Sequence, residues 1–160
     1  MGPCVLVINE VQTAGTGGAQ DEFIELASSC ATPKDLTGYK LAYRSASGSS
    51  NIELAAFSSV SVPAHGYLVI GHTSYTGSAS VTYSASSLSG TAGGIALIDA
   101  SSAVVDSVGY GNATNAFVET AAASAPASGQ SIARTPSGHD TDDNSADFAV
   151  AASPTPGAAN

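Results

Sequence analysis

The sequence contains no tryptophan, one methionine, two cysteines and only four lysines and arginines in 160 residues. Each shortage removes a class of explanation. Four basic residues against thirteen acidic ones give a net charge of −9. That field repels phosphate backbones, so nucleic acid is not expected as a partner of this domain. Lys34, Lys40 and Arg44 lie near one another in the chain, but they read best as solvated charges around one strand of an acidic body. The longest apolar run, VLVI at 5–8, falls far short of the roughly 20 residues a membrane-spanning helix needs. No basic segment followed by an apolar stretch opens the chain, so a mature or trimmed chain is expected. Pro3 before Cys4 argues against a lipid-modified cysteine. Without Trp, the Cys, Trp, Cys signature of antibody-type domains is missing.

What is present favours a folded chain. Hydrophobic residues make up 43% and charged residues 11%, enough apolar surface to offset the entropy of ordering. A chain of this length suits one domain that buries roughly 70% of its unfolded surface. We read residues 1–160 as that domain, with flexible ends at 1–3 and 152–160. Cys4 and Cys30 lack metal-ligand spacing such as C-x-x-C, so a disulfide is the economical reading, implying an oxidising compartment. A pair of buried thiols is the alternative.

Short segments with alternating polarity or β-branched enrichment recur along the chain: CVLVINEV (4–11), EFIELA (22–27), YKLAYR (39–44), NIEL (51–54), YLVIG (67–71), SVTY (80–83), GIALID (94–99), AVVDSVGY (103–110), QSIAR (130–134) and DFAV (147–150). Connectors rich in Gly, Pro, Ser and Asp separate them. No segment carries a helical stripe, and Pro126 keeps AAASAPASG at 121–129 a loop. The pattern predicts an all-β protein, an antiparallel sandwich of about eight to ten short strands. Alternation within EFIEL places Glu25 or Glu22 beside apolar neighbours, and an inward carboxylate must find donors or a cation.

In order, INEV (8–11), DEFIEL (21–26), DLTGYKL (35–41), PAHGYLVI (63–70), GGIALID with VVDSVGYG (93–111) and GQSIARTPSGHDTDDNSADFAVAASPTPGAAN (129–160) resemble the bacterial lamin-tail domain over nearly the whole chain. The resemblance implies an immunoglobulin-like β-sandwich and an accessory module of a secreted or surface protein. Two departures are visible. Tyr39 stands where Trp is common after L-[ST]-G, which reduces buried area and adds a hydroxyl to satisfy, and the Cys4 and Cys30 pair is not general.

The acidic stretch HDTDDNSADF (139–148) carries the candidate site. Asp140, Asp142 and Asn144 match D-x-[DN]-x-[DN], the first half of a calcium loop, but Ser145 replaces the required Gly and Ala151 the bidentate Glu. A simpler calcium site remains open, with Asp140, Asp142, Asn144 and Asp147 as ligands. The competing reading is a solvated turn, in which Asp140 and Asp142 form Asx hydrogen bonds, Asn144 is left-handed and Asp147 caps the next strand. A metal-dependent hydrolase using the carboxylates of 140–147, with His139 alongside, is a third reading.

Elsewhere, His65 reads as a turn residue, His72 as an exposed strand end, and GTAGG (90–94) as a turn without the Lys of a phosphate loop. NAT at 112–114 is a formal glycosylation acceptor. Asn9, Glu10, Glu25, Asp99 and Asp106 are polar residues within strands, expected to pair with Arg44 and Arg134 or to satisfy bulges and turns. The expected function is a non-catalytic extracellular module, monomeric by itself, that binds a protein or cell-surface ligand through loops or a strand edge. The alternatives are the hydrolase and a self-associating structural domain.

Overall fold

The computed structural model describes residues 4–160, so the segment 1–3 lies outside the described residues. In chain order the elements are β1 (Leu6–Gln12), β2 (Phe23–Ser28), β3 (Lys34–Asp35), β4 (Lys40–Ser45), β5 (Ile52–Ala56), β6 (Ser61–Val62), β7 (Tyr67–His72), β8 (Val81–Tyr83), β9 (Gly93–Ile98), β10 (Val104–Tyr110), β11 (Ser131–Arg134), α1 (Asn144–Asp147) and β12 (Phe148–Ala151). A six-stranded sheet runs β12-β11-β1-β2-β7-β8 and a four-stranded sheet β10-β9-β4-β5. The result is an immunoglobulin-like β-sandwich.

Period-2 alternation builds the core between the sheets. Ile8, Ile24, Leu26, Ile70 and Ile132 from one sheet meet Leu41, Tyr43, Ile95, Leu97 and Val108 from the other in one buried cluster. The outer face of the four-stranded sheet carries Ala42, Ala96 and Ile98, small enough at two positions for Phe117 to lie over them. Gly93 admits the Tyr43 ring, since a Cβ there would stand 2.6 Å from it.

Three features differ from the expectation. The two-residue pair of β3 and β6 is too short to show alternation, and it raises the strand number to twelve. β8 joins β7 in parallel, Ile70 opposite Val81, because residues 73–80 carry the chain back along the sheet edge. One helical turn, α1, interrupts the acidic stretch, with the Asp143 carboxylate accepting from the Ser145 and Ala146 N–H groups. A single capped turn has no apolar stripe to read.

Cys4 and Cys30 form a disulfide with Cα atoms 4.4 Å apart, joining the entry of β1 to the exit of β2. The Ser29 N–H donates to the Val5 carbonyl at 2.9 Å beside it. Tyr39 packs against the core with the Lys34 ammonium 5.8 Å from its ring centre.

Closing this loop constrains the unfolded chain, so the Cys4→Ala/Cys30→Ala double variant is expected to lose about 3 kcal/mol. Guanidinium denaturation measures it, and an unchanged midpoint would refute the assignment.

Candidate functional site

Strand parity brings the site together. On β11, Ile132 faces the core, so Arg134 two residues on faces it as well. On β10, Val108 and Tyr110 face inward, and Asp106 shares their side. The two charged side chains therefore meet between the sheets, with Arg134 fully buried and Asp106 nearly so.

Arg134 uses its whole guanidinium. Nη2 donates to Asp106 at 2.9 Å, Nε to the Ile8 carbonyl at 2.8 Å, and Nη1 to Asp147 at 3.0 Å, Asp140 at 3.1 Å and the His139 carbonyl at 2.8 Å. Its plane lies 4.5 Å from the centre of the Phe148 ring, its cross-strand neighbour. Asp106 also accepts the Ile8 N–H. The acidic turn thus closes around a cationic side chain of the protein.

The four residues singled out for calcium divide. Asp140 and Asp147 converge on Arg134, and Asp147 further accepts the Thr141 N–H at 2.8 Å and hydroxyl at 2.7 Å. Asn144 turns away from them: its Oδ1 accepts the Gly109 and Glu119 N–H groups at 2.8 and 2.9 Å, and its Nδ2 donates to Ser107 and Glu119. Asp142 is exposed and is the left-handed residue of the turn at φ 58°, the conformation expected of Asn144. Asp140 does form the expected Asx contact, accepting the Asp142 N–H at 3.2 Å. Asp147 ends α1 and reaches back to Thr141, and the capping carboxylate of the turn is Asp143.

Glu119, which sequence reasoning missed, completes the cluster because nothing in NAFVETAAA marks it. Asp106, Glu119 and Asp140 present carboxylate oxygens within 4.8 Å of one another, the set that would hold a metal ion if one bound. Arg134 already donates to two of the three. Burial, followed by the carboxylates of Glu119 and Asp140, outweighs Arg134 and pushes Asp106 up to about 7. Burial and the Asp140 carboxylate also raise Glu119. Asp147 goes the other way: burial works against it, yet the Thr141 donors and Arg134 hold it below the usual carboxylate range.

A second group of carboxylates lies on the outer face of the six-stranded sheet. Glu10 and Glu25 stand opposite each other on β1 and β2, both fully buried. Glu10 accepts from the Ser131 hydroxyl at 2.6 Å and the Thr155 N–H at 3.0 Å. Glu25 accepts from Asn9 Nδ2 at 2.9 Å and from the Gly157 N–H. Asn160 donates to the Asn9 and Arg134 carbonyls at 3.3 and 3.0 Å. The segment 152–160, read from composition as a flexible end, lies across this face on those bonds. Burial, then the neighbouring Glu10, push Glu25 up to about 7.

Glu22 is buried as well, so both glutamates of EFIEL are enclosed. It accepts the Tyr83 hydroxyl and the Leu88 N–H, each at 2.9 Å, and burial pushes it up to about 7. His72, expected to be exposed, is buried at the end of β7 with its ring edge-on to Tyr83. Arg44 finds Asn51 at 2.7 Å and the Phe117 ring rather than a carboxylate. Asp99 accepts from Ser101 and Ala103 in its own turn. His65 is an exposed turn residue at φ 47°, as its PAHG context implied.

Removing Arg134 leaves this cluster without its buried cation. Arg134→Met is expected to cost about 3–5 kcal/mol, and Arg134→Lys should not restore it, because an ammonium cannot serve diverging acceptors. Asp140→Asn, at a partly exposed position, should cost under about 1 kcal/mol. Chemical denaturation separates the three, and equal losses would refute the central role of Arg134.

The raised carboxylates fix a pH dependence. Glu22, Glu25 and Asp106 sit at about 7 when folded, above ordinary values of 4.5 and 3.8, so their contribution is complete at acid pH and is lost as pH rises through 7. Asp21 and Asp147 are lowered below 3.8 and lose theirs only in stronger acid. Denaturation is expected to give greater stability at pH 5 than at pH 8, and the reverse order would refute this account.

None of the curated proteins compared with the chain matches it. The family model described as Lamin Tail Domain matches residues 2–112, a span that contains Glu10, Glu25 and Asp106 and stops before Glu119, Arg134 and the acidic turn. That span covers more than half of the chain and most of both sheets of the sandwich, and the chain belongs to the lamin tail domain family.

Proposed function

We propose that this domain is a non-catalytic extracellular binding module of a secreted bacterial protein, serving adhesion, surface attachment or the targeting of a neighbouring domain. The observation that carries the reading is where the exposed large apolar side chains stand. Ile52, Val104, Val105 and Val150 lie on β5, β10 and β12, each at the edge of its sheet. Single exposed apolar residues are ordinary on a protein surface. Gathered on edge strands, they offer a partner segment both backbone hydrogen-bonding groups and apolar contact, the requirements of strand addition. The Cys4–Cys30 disulfide suits an oxidising compartment.

The hydrolase alternative would draw on the carboxylates of 140–147. Asp140 and Asp147 serve Arg134, and Asn144 serves the β10 backbone and Glu119. Those bonds favour a structural role for the stretch. Calcium is compatible with the module as well as with the hydrolase, and of the four residues singled out for it Asp140 alone belongs to a set of carboxylates close enough to hold an ion, with Asp106 and Glu119.

Three measurements test the proposal. The purified domain should co-sediment with isolated bacterial envelopes, and Val104→Lys/Val150→Lys should not. Phosphodiesterase activity with calcium, magnesium or zinc that disappears in Asp142→Ala would overturn it. Light scattering should report a monomer at every concentration, whereas growth with concentration would favour the self-associating alternative.

A further inference from the structure

The Glu10 and Glu25 pair has an unusual chemistry. Two fully buried carboxylates stand directly opposite each other on paired strands, an arrangement in which like charges repel. The groups hydrogen-bonded to them are all neutral: the Ser131 hydroxyl and the Thr155 N–H and hydroxyl at Glu10, the Asn9 amide and the Gly157 N–H at Glu25. From the third strand of this face, β7, Val69 stands opposite Glu25 and contributes no charge. The loop after β7 brings Tyr75, whose phenol is itself raised by burial and by the carboxylates of Asp21, Glu10 and Glu25. The one fully buried guanidinium, Arg134, is committed to Asp106, Asp140 and Asp147.

The C-terminal segment supplies much of that burial. Its Thr155 and Gly157 amides point at the two carboxylates, two residues apart, and Asn160 fastens its end to Asn9 and Arg134. Lifting the segment would expose both carboxylates to water and remove the burial that raises Glu25.

We propose that segment 152–160 is a proton-dependent clasp, which closes over the Glu10 and Glu25 pair when Glu25 holds a proton and opens when that proton is lost. The step balances simply: the closed form binds one proton that the open, hydrated form releases to solvent. Closure is therefore favoured at mildly acid pH, and opening increases as pH rises from about 4.5, the ordinary value, towards about 7, the value to which burial brings Glu25, and levels off above it. This linkage is independent of the binding role proposed above.

Amide exchange on the full chain, followed by NMR and expressed as protection factors, tests the clasp. Loss of one proton raises the opening equilibrium by up to about tenfold per pH unit. The protection factors of Thr155 and Gly157 are expected to fall by nearly that factor between pH 5 and pH 6, the interval between the ordinary 4.5 of an exposed glutamate and the raised value of Glu25. In Glu25→Gln, which keeps the shape of the side chain but cannot ionise, they should stay within about twofold over the same range. Protection that does not change with pH in the wild type, or falls equally in Glu25→Gln, would overturn the proposal. Should that variant fail to fold, the ¹³C titration of the wild-type Glu25 carboxyl decides. A midpoint near 7, where the loss of protection levels off, supports the clasp, and one near the ordinary 4.5 overturns it.

Discussion

The Arg134 guanidinium sits where both sheets, the first strand and the acidic turn meet, and each of its nitrogens is committed to a different one of these parts. Nη2 reaches across the sandwich to Asp106 on β10, Nε holds the Ile8 carbonyl on β1, and Nη1 gathers His139, Asp140 and Asp147. A buried ion pair adds little net stability over well-packed apolar side chains of the same volume. What it enforces is arrangement. A planar fork with fixed donor directions accepts one placement of β10 over β11, and only one path for the turn leading into β12.

The rest of the polar interior follows from that commitment. Because the buried guanidinium is fully engaged, Glu10, Glu22 and Glu25 have hydroxyl, amide and backbone N–H donors in place of a cation. Neutral donors stabilise a carboxylate less than a cation does, and burial then raises Glu22 and Glu25. Asn144 shows the same economy in an uncharged form: one side chain satisfies two backbone N–H groups, one carbonyl and Glu119. It joins α1 to β10 and to the strand-free segment that carries Phe117.

Much of this was legible in the sequence. Alternation in INEV, FIEL, IALID and QSIAR places Ile8, Ile24, Leu26, Leu97 and Ile132 in the core, and the same parity puts Arg134 beside Ile132. Of the two expectations for Asp106, satisfying a bulge or turn and pairing with one of the two arginines, the structure shows the pairing, with Arg134. Glu119 was hidden because it lies in an irregular segment without periodicity, and its neighbours Ser107 and Asn144 are 12 and 25 residues away. The roles within DTDDN were partly exchanged: Asp142 took the left-handed position and Asp143 the cap, since local composition permits either Asp or Asn at both. His72 was misplaced because a strand end looks exposed in sequence, whereas here β8 and Tyr83 close over it. The ordered path of 152–160 depends on carboxylates more than 130 residues earlier, a distance that no local pattern encodes.

Enclosing so many acids also changes what a partner meets. Glu10, Asp21, Glu22, Glu25, Asp106 and Asp147 are buried, against Arg134 alone among the lysines and arginines. Of thirteen carboxylates and four cations in the chain, seven and three remain near the solvent. The solvent-facing carboxylates still outnumber the cations, so the outside of the domain stays acidic, though less densely than the composition implies. The acidic field still disfavours anionic partners, and recognition of other partners at this surface rests on shape and short-range contact.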